Sequence, residues 1–167
     1  MRNSIYTYLW LVSLLCLASP VQAQYTVFKF VAENDHKALS LHSTGLVKDS
    51  VQTSENQLVQ LFILKRTGDN VLIAAASDPT LFLKRNTDGT LVLTQITGNN
   101  PEPAEFQWRI LFAGIPYLVI ADPSDSSKAI HYDGSSFKVG TLPQIPNNGS
   151  TVAQDFRFKI QKVTNTF

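Results

Sequence analysis

Three histidines, His36, His42 and His131, and the lone thiol Cys16 are the side chains of this sequence best suited to ligate a metal or to move a proton near neutral pH. Their spacing forms no metal-binding pair: there is no H-E-x-x-H, and no second cysteine to complete a thiolate set. A zinc site would have to be assembled by the fold from distant segments. No G-x-S-x-G elbow presents a serine nucleophile, and no glycine-rich loop is built to cradle a phosphate. The expectation is a chain without a catalytic group, a metal or a cofactor.

Two short clusters look reactive when written in a row. Asp122-Pro123-Ser124-Asp125 could offer oxygens to calcium, but it lacks the alternating Asp/Asn ligands and closing Glu of a calcium loop, so it reads as turn chemistry. In His131-Tyr132-Asp133, neighbours on a strand point to opposite faces. His131 and Asp133 then flank Tyr132 at a solvated strand end and do not form a catalytic dyad. Lys65-Arg66 and Lys84-Arg85 could join a small basic patch. With 14 basic against 13 acidic residues, however, the chain has no bulk charge with which to hold nucleic acid.

Residues 1–23 carry a different signature. Arg2 opens the segment, Leu9 to Ala18 form an apolar core, Pro20 breaks it, and Val21-Gln22-Ala23 places small residues where a signal peptidase reads them. This predicts a secretory signal removed after Ala23. The alternative, a membrane anchor, needs about 20 apolar residues, and neither this run nor Leu111 to Ala121 is that long. Cleavage would remove Arg2, Cys16 and Trp10, leaving residues 24–167 as a neutral, cysteine-free, secreted domain with no membrane span. Such a domain must hold together by its core, and a chain of this size can bury about two-thirds of its unfolded surface. Asn148-Gly149-Ser150 is an N-glycosylation acceptor in a Pro/Asn/Gly-rich stretch.

The remaining sequence repeats itself three times. The turn Ser43-Thr44-Gly45-Leu46 returns as Thr87-Asp88-Gly89-Thr90 and as Tyr132-Asp133-Gly134-Ser135, each between short strand-like runs. Asp-Gly there signals a hairpin, since glycine accepts the positive φ that tight turns demand. Each unit closes on a run with large residues at alternate positions: Gln60, Phe62, Leu64; Phe106, Trp108, Ile110; Phe156, Phe158, Ile160. Period-two alternation marks strands with one face on a core, and Phe62, Trp108 and Phe158 are the expected inner layer. No helical periodicity is sustained after residue 23. Units of about 25–70, 71–117 and 118–163, each with about four strands, are too small to bury cores alone but can share one around a threefold axis.

Twelve strands in three pseudo-symmetric repeats resemble the β-trefoil, the all-β fold of ricin-B-type lectins, interleukin-1 and fibroblast-growth-factor cytokines, and Kunitz-type inhibitors. A β-sandwich or a small propeller are the alternatives. In the ricin-type lectins a Q-x-W element closes each repeat, and Gln60-Leu61-Phe62 is similar to it with Phe for Trp, while Phe106-Gln107-Trp108 and Phe156-Arg157-Phe158 keep only the aromatic. The resemblance implies a secreted, monomeric, non-catalytic binder of an extracellular glycan or protein. A sugar pocket would fall in the third repeat, where Asp122, Asp125, His131, Tyr132 and Asp133 gather polar and aromatic groups near turns. Two other uses of the fold remain open. One is a cytokine-like ligand; the other is a protease inhibitor acting through the loop Pro143 to Thr151.

Overall fold

Alternating apolar residues with Gly-, Asp- and Pro-marked turns produce twelve antiparallel strands, described in a computed structural model over residues 26–33, 36, 38–41, 47–50, 62–143 and 152–163. The segment 1–23 expected to be a leader, the turn at Gly45, His42, Gln60-Leu61, Asn148 and most of the loop after Pro143 lie outside the described residues. The strands are β1 (Val27–Ala32), β2 (Ala38–Leu41), β3 (Val47–Ser50), β4 (Phe62–Thr67), β5 (Asn70–Ala75), β6 (Leu81–Arg85), β7 (Leu91–Gln95), β8 (Gln107–Phe112), β9 (Tyr117–Asp122), β10 (Asp125–Tyr132), β11 (Phe137–Thr141) and β12 (Phe158–Val163).

Six of them close a ring. β1 pairs with β4, β4 with β5, β5 with β8, β8 with β9, β9 with β12, and β12 with β1. The other six form three hairpins, β2–β3, β6–β7 and β10–β11, each hung from the first barrel strand of its unit. β3, β7 and β11 meet one another across the axis, so the hairpins cap one end of the barrel. This is the β-trefoil. Ring closure leaves the barrel strands no free edge on which another chain could pair.

The core repeats with the same symmetry. Phe62, Trp108 and Phe158 are each 0% exposed. They pack with Phe30, Ile73 and Ile120 from the first strand of each unit, and with Leu39, Leu83 and Ile130 from the hairpins. Trp108 spends its one polar group inside, its indole Nε1–H donating to Leu83 O at 3.0 Å. The ring is thus a core anchor, as its phase with Phe62 and Phe158 predicts.

One sequence expectation needs correcting. Phe106 and Phe156 do not share a strand face with Trp108 and Phe158. Each ends a one-turn 3-10 helix, Ala104–Phe106 or Gln154–Phe156, closed by the bonds Phe106 N→Pro103 O (3.0 Å) and Phe156 N→Ala153 O (3.1 Å). The tight turn throws both rings outside the barrel. Phe156 there joins Val119, Ala121, Ala129, Leu142 and Val152 in a second apolar cluster that covers the outer face of β9.

The Asp-Gly turns behave as expected. Gly89 and Gly134 have φ of +83° and +97°. Gly89 is doubly required, because its carbonyl accepts from Val139 N (2.8 Å) and a Cβ there would stand 2.8 Å from Val139 O. Through this contact the second hairpin's turn is pressed onto β11 of the third.

Candidate functional site: a polar groove between the second and third hairpins

Pressing those two hairpins together leaves an open groove of about 480 Å³ beside them, walled by Arg85, Asn86, Asp88, Glu105, Asp122 and Lys128 and by residues 139–141. At its floor Arg85, the last residue of β6, and Asp122, the last of β9, hold each other. Nε and Oδ2 are 2.8 Å apart, and each side chain is 11% exposed. The guanidinium also donates to Gln107 O (2.7 Å) and Ser124 Oγ (3.4 Å), and it lies 5.5 Å from the centre of the Trp108 ring. The other carboxylate oxygen of Asp122 accepts from Ser124 N at 2.8 Å. Both groups are therefore fixed before any ligand arrives.

The rim is looser. Asn86 Nδ2 donates to Thr90 Oγ1 (2.9 Å), leaving its carbonyl oxygen as an acceptor. Exposed Lys128 reaches only 3.6 Å from Asp125 Oδ2. Glu105, carried on the first 3-10 turn, makes no hydrogen bond or ion pair with another described side chain. The groove thus offers carboxylates, cations and an amide to a ligand, and no aromatic ring lines it.

The five residues expected to gather in the third repeat are placed apart. Asp122 is in the groove. Asp125 sits just outside it, its Oδ1 accepting from Ser127 N (3.0 Å) and Ser127 Oγ (2.5 Å), and these bonds hold its carboxyl below the usual range. Asp133 caps the β10–β11 turn. There Lys138 Nζ lies 2.7 Å away, and with Ser136 N and Ser135 N it holds the carboxyl well below an ordinary aspartate.

Tyr132 overturns the idea of an aromatic platform. Its ring is 2% exposed in the core beside Phe137, and its hydroxyl donates to Gly134 O at 2.6 Å. The alternation that put His131 and Asp133 on one face put Tyr132 on the inward one. His131 is not a solvated strand end either. Its ring stacks on Phe156 at 4.8 Å and 13°, and its side chain is 15% exposed. Burial pushes its pKa down, opposed by the Asp155 carboxylate, with Nδ1 3.7 Å from Oδ2.

One local device explains most of these aspartates. Asp78, Asp88, Asp125 and Asp133 each accept, through Oδ1, from the backbone N–H and hydroxyl of the Thr or Ser two residues on. This is an Asx turn, and the spacing D-x-[ST] announces it in the sequence. The turn reading of Asp122 to Asp125 therefore holds, since Asp122 follows the same geometry with Ser124 N. Sequence reading missed the Arg85–Asp122 pair and Glu105. The Lys84-Arg85 dipeptide was visible, but its partner lies in the next repeat. Among the described residues, no three His, Asp or Glu side chains converge to hold a metal ion, and no helix is long and apolar enough to cross a membrane.

Neither a protein-family model nor a curated protein matches this sequence. Solved structures do match its fold. The designed threefold-symmetric protein ThreeFoil aligns with a TM-score of 0.60 at 15% identity, over 82% of this chain and 99% of its own. SeviL, solved bound to asialo-GM1 saccharide, aligns with a TM-score of 0.60 at 10% identity, over 84% of this chain and 100% of its own. A GlcNAcα1-4Gal-releasing endo-β-galactosidase from Clostridium perfringens aligns with a TM-score of 0.67 at 14% identity, over 83% of this chain. This chain spans 33% of that enzyme's length. At such identities the shared property is the fold.

Proposed function

We propose that this β-trefoil is a secreted, non-catalytic, lectin-like protein that binds a glycan in the groove between its second and third hairpins. The observation that carries the reading is the pre-set Arg85–Asp122 pair at the floor of a polar groove. A sugar's vicinal hydroxyls pair well with a fixed carboxylate that accepts and neighbouring cations or amides that donate, and rigid groups lose little entropy on binding. The groove's volume of about 480 Å³ falls within the usual range for small-ligand sites, about 300–1,000 Å³. Support also comes from SeviL, which shares the fold and was solved with a saccharide.

The absence of an aromatic wall gives the proposed site its character. Trp108 lies beneath Arg85 and Tyr132 is in the core, so recognition rests on hydrogen bonds and not on ring stacking. In this reading the mature protein is residues 24–167, a monomeric single domain released after Ala23 and glycosylated at Asn148. It binds an extracellular glycan.

A glycan array followed by calorimetry tests the proposal. Wild type should be retained by one glycan class. Glu105→Gln with Lys128→Ala should weaken that binding, and Asp122→Asn should abolish it. Tyr132→Phe should leave it unchanged. Absence of binding across the array, or binding indifferent to the groove variants, would overturn the assignment. Stoichiometric slowing of a protease by the wild type would point instead to the loop Pro143 to Thr151.

A further inference from the structure

The barrel end opposite the groove exposes two large apolar side chains, Phe112 at 80% and Ile115 at 88%. Phe112 is the last residue of β8, paired with Leu118, and Ile115 sits in the closed, well-bonded turn that leads to β9. Tyr117 N donates to Gly114 O (2.6 Å), Ala113 N donates to Tyr117 O (3.1 Å), and Gly114 takes φ +87°. The fold thus holds both side chains out in water, where transfer into an apolar phase would be favourable.

The internal symmetry shows what surrounds them. Phe112 stands four residues after the core anchor Trp108. The same positions after Phe62 and Phe158 are Arg66 and Lys162, both exposed. One position, repeated three times around this end, is therefore filled by one large apolar side chain and two cations. The nearby carboxylates are Asp69, in the β4–β5 turn, and Glu102, which is bonded to Thr67 Oγ1. Half-buried Tyr117 lies just above the turn, with the Arg157 guanidinium 5.2 Å from its ring centre.

We propose that this end of the barrel docks on a phospholipid surface. Phe112 and Ile115 enter the boundary between headgroups and acyl chains, while Arg66 and Lys162 meet phosphate oxygens. Tyr117 sits at headgroup level, where an amphipathic ring is favoured. A bilayer needs no complementary shape and rewards an apolar tip flanked by cations. Docked this way, the groove at the capped end faces away from the membrane.

The test is co-sedimentation with phosphatidylcholine vesicles, with and without phosphatidylserine, using protein recovered from the medium of a secreting host with its N-terminus read by mass spectrometry. Wild type should sediment with vesicles, more so with phosphatidylserine and less at high salt. Phe112→Asp with Ile115→Asp should lower vesicle affinity roughly tenfold or more, since two large apolar side chains lose their burial. Arg66→Gln with Lys162→Gln should remove only the phosphatidylserine-dependent part. All four positions are exposed, and an unchanged thermal melt verifies that the variants fold. Failure of wild type to bind either vesicle overturns the proposal, as does equal binding by the Phe112/Ile115 variant. Vesicle-free self-association that this variant abolishes would also overturn it, by assigning the tip to a second copy of the chain.

Discussion

The imidazole of His131 lies directly on Gly140: a Cβ at residue 140 would stand 2.5 Å from Nε2 and 2.7 Å from Cδ2. The two residues belong to adjacent strands of the third hairpin, where His131 pairs with Lys138 and Ala129 with Gly140. Phe156 stacks on a face of the same ring. The histidine is thus clamped between a strand that has no side chain at that point and a 3-10 turn from the end of the chain.

Gly140→Ala should therefore destabilise the protein by about 1–3 kcal/mol, the usual cost of forcing extra volume into a packed site. The imidazole cannot swing aside, because Phe156 blocks it. His131→Ala should recover part of the loss when combined with Gly140→Ala. Urea midpoints of the two single variants and the double variant measure the coupling, and strict additivity would contradict the clamp.

The same clamp sets a pH dependence. Burial lowers the pKa of folded His131 below the ordinary histidine value of about 6.5, so the unfolded chain takes up that proton first. Stability from this residue is complete above about pH 6.5 and falls as the pH drops toward the folded pKa, below which the loss levels off. Asp155 from the 3-10 turn and Asp133 oppose the shift, and Lys138 from β11 adds to it. His131→Gln should flatten the fall in melting temperature between about pH 7.5 and 5.5, and Asp155→Asn should steepen it. Identical slopes in all three proteins would reject this account.

Trp108→Ala should cost about 3–5 kcal/mol, as large-to-alanine changes in a core do. Trp108→Phe should cost less, yet still lose the indole bond to Leu83 O. A denaturant midpoint unmoved by the alanine change would mean that the central ring is not an anchor.

Arg85→Gln should destabilise by about 1–3 kcal/mol, because Asp122 would keep its burial and lose its cation. Tyr132→Phe should cost about 0.5–1.5 kcal/mol, the net worth of one hydrogen bond to Gly134 O. The two variants differ in what they do to the groove: the first should impair glycan binding and the second should not. Thermal melts alongside calorimetry separate the two effects.

Local pattern determined the architecture. Asp-Gly at matching intervals set the hairpins, and the phase of Phe62, Trp108 and Phe158 set the inner layer, because turn chemistry and period-two burial act between neighbours in the chain. The D-x-[ST] spacing is an equally local signal, borne by the aspartates that bond to their own turns. Phe106 and Phe156 escaped this logic, since a single 3-10 turn is too short to leave a period. The groove escaped it altogether. Arg85 and Asp122 come from different repeats, and only barrel closure and the seating of Gly89 against Val139 bring them together. His131, Tyr132 and Asp133 show the reverse. Consecutive in sequence, they were sent to a clamp, the core and a solvent-facing turn, because adjacent strand residues face opposite ways and the packing around each face decides what it meets.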